Sequence, residues 1–482
     1  MSVSEMTQVR DVRHFVGGAW IDRESTESRT NPADPTDLVS RAPDADRGVV
    51  AEAVEAAQEA THPWGALSAQ ERGAVVAEAA RILDGRAAEI AQLLTREEGK
   101  TLAEAAGEVD RAVRMLTFYA AQAWHPLGAT LPSADGRTHL YTTRVPVGVV
   151  GLITPWNFPV AIPVWKLAPA LVAGNSVVLK PSSYVPATTQ ALLECFVEAG
   201  IPAGVLNVVY GSGSRAGQAL VDDERVAALS FTGSSGVGRG INLAAAARMA
   251  RVQLEMGGKN AMVVLPDADP AAAADLCVRG AFGLTGQACT ATSRVIVLRG
   301  DEHRLLDALV ARTAEIVTGD PLDPRTTMGP VVTDRQLATD VGYVDQALAA
   351  GAELVAGGTA EGLFLEPTIL RNVHRDSAIA NEEVFGPVLS VLVADSREDA
   401  VNLLNSTEYG LTAGVVTNDV ESAMSFARDA DAGVIKINRQ TPGTDVNAPF
   451  GGNRSSSNGL FREQGLTATE FFTRVKTVYL GY

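Results

Sequence analysis

The sequence predicts an α/β protein built of two doubly wound lobes with a small separate β element. Three observations carry this. From Val145 to about Glu255, Val/Leu-rich strands alternate with helices. The strands lie near Val147–Ile153, Ser176–Leu179, Val205–Val209 and Ala228–Phe231; the helices lie near Trp165–Leu171, Ala187–Ala199, Arg215–Leu220 and Val237–Ala250. That rhythm marks a parallel sheet covered on both faces, which binds nucleotides at its strand ends. A second alternating region runs from about 260 to 435, with strands near Ala261–Val264, Arg294–Leu298 and Val388–Val393. Finally, two stretches of strong β-propensity, 126–147 and 465–482, lack a core of their own and predict a shared oligomerisation sheet.

The elements follow in order. Residues 1–46 break short apolar runs with the turns Gly17-Gly18 and Asn31-Pro32, and predict an extended arm or small hairpin. Residues 47–124 are Ala-rich with charges at helical spacing; they read as solvated amphipathic helices without chemistry. Strands flank Ala134-Asp135-Gly136, and T-R-V-K-T-V-Y-L-G-Y closes the chain.

Composition narrows the class. A chain of 482 residues exceeds one ordinary core. The hydrophobic fraction of 46% and charged fraction of 20% are those of a soluble globular protein. With 40 basic against 57 acidic residues the net charge is −17, which speaks against nucleic acid or anionic membranes as partners. No apolar run reaches the roughly 18 residues of a membrane span. The start, M-S-V-S-E-M-T-Q-V-R, has neither a basic nor an apolar leader segment. Cys195, Cys277 and Cys289 are too few and scattered for a disulfide framework, and fit a reducing cytoplasm. No Cys/His cluster suggests a metal site.

The chemistry centres on F-G-L-T-G-Q-A-C-T-A-T-S-R, Phe282 to Arg294. Cys289 sits among small residues (Ala288, Thr290, Ala291) after Gly283 and Gly286, ahead of the β-branched run Val295–Val297. It reads as a nucleophile on a tight turn, or as a small buried hydrophobe. Thr154-Pro155-Trp156-Asn157-Phe158-Pro159 ends a strand; its two prolines fix a short amide that can donate to an oxyanion, or it is an aromatic turn. Lys180-Pro181-Ser182-Ser183 closes another strand, where a nucleotide ribose would lie, or Lys180 is a solvated surface lysine. Small hydroxyls in place of a carboxylate tolerate a 2′-phosphate. Gly211-Ser212-Gly213 with Gly217 is one residue too long for the pyrophosphate fingerprint and reads mainly as a loop. Phe231-Thr232-Gly233-Ser234, with Gly238, opens a helix suited to phosphate, or is a Ser-capped start. Glu255, before Met256-Gly257-Gly258-Lys259, is a general base among apolar neighbours or a hinge glutamate. Glu382-Glu383-Val384-Phe385-Gly386-Pro387 and Pro449-Phe450-Gly451-Gly452 are each turns when read alone.

Together P-W-N-F-P, K-P-S, F-T-G-S-x-x-x-G, L-E-M-G-G-K, G-Q-x-C, E-E-x-F-G-P and P-F-G-G, in this order through nearly the whole chain, resemble the NAD(P)-dependent aldehyde dehydrogenase superfamily. The resemblance implies two Rossmann-like lobes: a cofactor-binding domain of 1–125 and 148–256, and a catalytic domain of 257–440. The stretches 126–147 and 465–482 become oligomerisation strands of a homodimer or homotetramer. It implies Cys289 as nucleophile and Glu255 as base for the hydrolytic water. Asn157 and the Cys289 N–H form the oxyanion hole, and Lys166 supports the base. Thr154, Pro155, Trp156, Lys180, Ser182, Ser183, Gly213, Gly217, Phe231, Gly233, Ser234, Gly257, Glu383 and Phe385 form the cofactor cleft. Within it Lys180 holds the adenosine ribose, Gly233 and Ser234 the pyrophosphate, and Glu383 the nicotinamide ribose. Phe158, Ile162, Trp165, Ala288, Thr290 and Phe450 line the substrate side.

Many NAD-preferring members carry Glu where this chain has Ser183, so the preferred cofactor is NADP, with NAD the alternative. G-Q-A-C-T-A-T-S-R looks most like the 2-oxoglutarate semialdehyde dehydrogenase-like branch. The implied reaction is oxidation of an aldehyde to the acid through a cysteine thiohemiacetal and thioester, on a semialdehyde. An aromatic or aliphatic aldehyde, a CoA-acylating reaction and a non-catalytic structural role are the alternatives. A thiol is only a few per cent ionised at neutral pH, so the site is expected to lower its pKa. Arg439, after the Asn438 turn, is a candidate for a distal carboxylate or a solvent-facing residue.

Overall fold

The β-branched runs assemble into two seven-stranded sheets in the computed structural model, which describes residues 8–125 and 128–482. The first contains β1 (His14–Val16), β2 (Ala19–Ile21), β3 (Val149–Ile153), β4 (Ser176–Lys180), β5 (Leu206–Val208), β6 (Val226–Thr232) and β7 (Arg251–Glu255). Its order is β7-β6-β3-β4-β5-β1-β2. The strands from β7 to β5 are parallel, and β1 and β2 add antiparallel at the edge. The predicted arm thus contributes two strands to this sheet. Its remainder folds back as the hairpin Ser25–Asn31 and Asp34–Pro43. The strand β3 is the first of the parallel set, with β4 on one side and β6 on the other. Strand order reverses at its carboxyl end, and a crevice opens at such a point.

Four helices precede β3: α1 (Arg47–Ala66), α2 (Ala69–Gly85), α3 (Ala87–Glu98) and α4 (Leu102–Gln122). Capping boxes at Ser68/Glu71 and Thr101/Glu104 start α2 and α4 by satisfying their free amides. The expectation of solvated helices holds for one flank only. Trp64, Leu83, Leu94, Met115 and Tyr119 lie in the core, and the junction of α3 with α4 carries buried charge. Between β3 and β4, α5 (Ala161–Val172) is buried along its whole length, as a helix apolar on all sides must be. Then α6 (Pro186–Glu198) leads from β4 toward β5, and α7 (Ser235–Ala247) joins β6 to β7.

The second sheet contains β8 (Ala261–Val264), β9 (Arg294–Leu298), β10 (Glu353–Ala356), β11 (Thr368–Arg371), β12 (Val388–Ala394), β13 (Thr412–Val416) and β14 (Val434–Ile437). Its order is β10-β11-β12-β9-β8-β13-β14, parallel except for β10. The helix α8 (Pro270–Phe282) runs from β8 to the cysteine loop. The two lone β-stretches pair with each other. Thr473–Gly481 lies antiparallel to Thr138–Pro146 from end to end, and Thr130–Leu131 adds a short third strand.

Residues 1–7, where the lack of a leader was read, and 126–127, the start of the hairpin stretch, lie outside the described residues. Among the described residues no helix is long and apolar enough to cross a membrane, and no group of His, Cys, Asp and Glu could hold a metal ion.

Candidate active site

The strand ends place one side of the site. Thr232 at the end of β6, Thr154 just after β3 and Lys180 at the end of β4 stand on neighbouring carboxyl ends. The hydroxyls of Thr154 and Thr232 are buried without a partner. Lys180 is buried, and no carboxylate lies within ion-pair distance of it among the described residues. Burial lowers its pKa to about 8, against the opposing pull of Glu27 and Asp44. Gly217 lies beside Lys180, a Cβ there falling 3.8 Å from Lys180 Cδ. Gly213 belongs to the same π-helical turn, whose preceding amide, Ser212 N–H, donates to Asp44 (2.9 Å). Phe231 packs its ring on Gly233, and Ser234 stands at the start of α7 without using its hydroxyl as a cap. Ser182 and Ser183 turn the chain out of β4, with the Tyr184 N–H donating to Ser182 Oγ (3.3 Å). Trp156, after Pro155, stands edge-on to Phe385 at 5.5 Å.

The second lobe brings the thiol. Leu284 and Thr285 adopt left-handed backbone (φ 54° and 56°), which tightens the turn ahead of Cys289. Gly286 allows the loop to touch the next one: a Cβ there would fall 2.2 Å from the Gly386 carbonyl. The Asn260 amide donates to the carbonyls of Cys289 (2.8 Å) and Ala291 (2.9 Å) and pins the loop to β8. Of the three free cysteines, Cys195 and Cys277 are buried, and Cys289 keeps access to solvent.

Asn157 faces this loop, its Nδ2 donating to the Gln287 carbonyl at 2.9 Å. Glu255, at the end of β7, accepts from the Gly452 N–H (3.3 Å) and leaves Oε1 unpaired. Burial first, then neighbouring Glu463, drive its pKa well above the carboxylate range, while Lys166 and Arg462 oppose the shift. Glu383 lies on Gly257, where any Cβ would strike its carboxylate at 2.1 Å, and accepts from the Gly258 N–H (3.0 Å). Burial pushes Glu383 up to about 7. Burial and the charges of Glu383, Glu255 and Glu463 raise the Cys289 thiol. This corrects the expectation that the site lowers that pKa: burial disfavours the thiolate, and the charges acting on it are acids.

On the substrate side, Trp165 packs on Phe450 at 6.0 Å, and Ile162 lies on the first turn of α5. Ala288 and Thr290 flank the thiol, with the Thr290 carbonyl accepting from Thr441 Oγ1 (2.7 Å). Phe158 lies under the Lys100 ammonium at 4.7 Å. Arg439 is exposed.

Two connections escaped the sequence reading, which named Lys166 but neither its partner Glu463 nor the α3–α4 junction. Lys166 donates to Glu463, a buried pair 297 residues apart, and to Ser230 Oγ (2.8 Å), linking Glu255's surroundings to the chain's last turns. The junction of α3 with α4 braces the site: Lys100 donates to Glu108 (2.6 Å) and to the Asn157 carbonyl (2.7 Å). Glu108 accepts from Val160 N–H (2.8 Å) and Ala161 N–H (3.0 Å), and Glu104 accepts from Leu284 N–H (2.6 Å). A capping-box pattern at T-x-x-E was the available signal for Glu104.

A partly accessible cysteine near two buried carboxylates, beside a doubly wound sheet with an open switch point, is the arrangement of a dinucleotide-dependent oxidoreductase working through cysteine. Residues 20–478 match the aldehyde dehydrogenase family, and the chain belongs to it. It is 44% identical over 487 residues to an alpha-ketoglutaric semialdehyde dehydrogenase of Bacillus subtilis, covering 99% of this chain and 100% of that one. It is 44% identical over 457 residues to a 2,5-dioxopentanoate dehydrogenase of Saccharolobus solfataricus, covering 94% and 95%. The structure of an NAD-dependent aldehyde dehydrogenase from Sinorhizobium meliloti superposes with a TM-score of 0.95 at 36% identity, over 99% of this chain and 95% of that one.

Proposed function

We propose that this enzyme oxidises a semialdehyde, an ω-oxo acid, to the dicarboxylic acid, passing hydride to NADP or, as the alternative, NAD. The observation that supports the chemistry is that the Asn157 amide is bonded to the Gln287 carbonyl, two residues before Cys289, while Glu255 is near enough to Cys289 to raise its thiol. The names of the two semialdehyde relatives support the substrate class.

The cleft suits a dinucleotide. The start of α7 has no acidic residue in its first turn and an unused Ser234 hydroxyl, as a phosphate requires. The unpartnered hydroxyls of Thr154 and Thr232 are polar groups waiting for a ligand. Lys180, Ser182, Ser183, Gly213 and Gly217 would hold the adenosine end. Gly233 and Ser234 would hold the pyrophosphate; Glu383, Gly257, Phe385, Trp156, Thr154 and Pro155 the nicotinamide end. When bound, the nicotinamide supplies the hydride acceptor.

The protein's own steps follow. The Cys289 thiolate adds to the aldehyde carbon, and the C=O electron pair moves to oxygen. Asn157 Nδ2 and the Cys289 N–H donate to that oxyanion, each such donor being worth about 3 kcal/mol. Loss of hydride leaves a thioester. Glu255 removes a proton from water as the water attacks, and the carbon–sulfur bond breaks to give the acid and the thiolate. Lys166 and Glu463 hold charge beside Glu255 during that transfer. Phe158, Ile162, Trp165, Ala288, Thr290 and Phe450 bound the substrate.

The lobe assignment of 1–125 with 148–256 to cofactor and 257–440 to catalysis belongs to this reading. So do a cytoplasmic location, supported by three free cysteines, and a homodimer or homotetramer joined through the third sheet. Val475, Tyr479 and Leu480 on that sheet are exposed at 57%, 71% and 57%, apolar area that a second copy would cover.

The test follows nicotinamide absorbance with ω-oxo acids, aliphatic and aromatic aldehydes, with and without CoA. Preference for an ω-oxo acid without CoA supports the reading; an absolute CoA need or inactivity on all aldehydes refutes it. Cys289→Ala should abolish turnover while dinucleotide binding survives, and substantial residual oxidation removes Cys289 from its role.

A further inference from the structure

Arg111 on α4 is a half-buried guanidinium without an acid. It donates to Thr444 O, to Thr444 Oγ1 and to Gln464 Oε1 (2.9 Å), all neutral. No carboxylate lies within ion-pair distance of it among the described residues; the nearest opposite charge is the exposed Asp445, with Arg114 as a like charge. Arg72 and Arg294 also lack acids, but they clamp three and four backbone contacts of packed elements. Arg111 holds side chains and a half-exposed loop instead.

Its position is on the substrate side. Glu108, one turn earlier on α4, binds the two amides that begin α5, the helix of Ile162 and Trp165. Residues i and i+3 share a helix face, so Arg111 continues that edge. The Thr444 loop is tied to the cysteine loop three residues earlier, through Thr441 Oγ1 to Thr290 O (2.7 Å). Gln464 follows Glu463, whose backbone pairs with Phe450 in both directions at 2.7 Å. Gln464 is wholly buried, has left-handed backbone (φ 59°), and its Nε2 has no partner. Trp165 Nε1 is buried without a partner as well. This region therefore carries a cation without an acid and two buried N–H donors without a partner, Gln464 Nε2 and Trp165 Nε1, and such a surplus of donors calls for an anion.

We propose that Arg111, assisted by Gln464, binds the terminal carboxylate of the aldehyde substrate. The carboxylate displaces neutral oxygens from the guanidinium and forms a two-pronged charged pair, the strongest contact an arginine makes. This deepens the semialdehyde reading and rests on it. Arg439, the arginine singled out from the sequence, is exposed and takes no part.

The test uses the full-length enzyme and the ratio of kcat/KM for a short ω-oxo acid to that for the plain aldehyde of equal chain length. Arg111→Met should lower the ratio about a hundredfold, the size of one charged hydrogen-bonded contact, with the loss carried by KM. Arg111→Lys, which keeps charge but not the fork, should recover part of it. A dicarboxylate lacking the aldehyde should compete with the ω-oxo acid in the wild type and not in Arg111→Met. Should Arg111→Met fail to fold, Arg111→Gln reads the same ratio. A wild-type preference that survives these variants overturns the assignment alone. A wild type indifferent to the carboxylate overturns the semialdehyde reading and the assignment together.

Discussion

Lys100→Met tests whether the oxyanion amide is held from behind. Lys100 and Glu108 are both about wholly buried, with side chains exposed by 1% each. One ammonium proton goes to Glu108 at 2.6 Å and another to the Asn157 carbonyl at 2.7 Å; the ring of Phe158 lies 4.7 Å away. Removing one partner of a buried pair costs about 3–5 kcal/mol, because the other charge is left unpaired. The variant should therefore unfold about 8 °C lower, at about 2 °C per kcal/mol. The rate effect is separate. With the Asn157 carbonyl released, its Nδ2 drifts from the oxyanion position, and a displacement on the order of 1 Å costs about a hundredfold. Single-turnover hydride transfer should fall by that factor, with dinucleotide affinity kept. Adding Glu108→Gln should restore part of the stability, since the amide oxygen still accepts from Val160 and Ala161 and the stranded charge is gone. It should not restore the rate. Wild-type stability and an unaltered hydride step in Lys100→Met would refute the bracing argument; rate recovered together with stability would reduce it to folding.

Glu255→Gln should keep the first burst of reduced nicotinamide and slow later turnover about a hundred- to a thousandfold, as the thioester waits for water. In the wild type the acylated form should hydrolyse faster as pH rises, because Glu255 has a raised pKa and acts only when deprotonated. A flat pH profile, or unchanged turnover in the variant, counts against this base. Ser183→Glu should move preference from NADP toward NAD, since a carboxylate near Lys180 repels a 2′-phosphate and accepts from ribose hydroxyls. An identical ratio of kcat/KM for the two dinucleotides in both proteins rejects that pocket assignment.

The strand-end residues were legible because their signals are local. A Val/Leu run followed by Thr154-Pro155 or Lys180-Pro181 announces where a parallel strand stops, and topology then gathers those ends into one crevice. Cys289 was visible for the same reason, between glycines and a β-branched strand. The Lys166–Glu463 pair was not, because nothing within a few residues of Glu463 shows that a lysine 297 positions away will meet it. The α3–α4 junction misled differently. The charges Glu97, Glu98, Lys100 and Glu108 lie in a stretch that reads as solvated, and only tertiary packing buries them. Glu97 there caps the start of α6 through Ala187 and Thr188. The pairing of the two β-stretches, more than three hundred residues apart, also lay beyond any local pattern.

The thiol's surroundings explain why acids, not a cation, surround this nucleophile. A histidine beside Cys289 would keep a thiolate at all times, open to oxidation and stray electrophiles. Here burial first, and then Glu383, Glu255 and Glu463, push the thiol's pKa up. Lys166 already serves Glu463. Positive charge brought beside the thiol would favour its ionisation, and a charged nicotinamide held at Glu383, as proposed above, would supply it. Arg111, bonded to Thr444 and Gln464, is where we propose that a distal carboxylate is held, on a cation separate from Lys166.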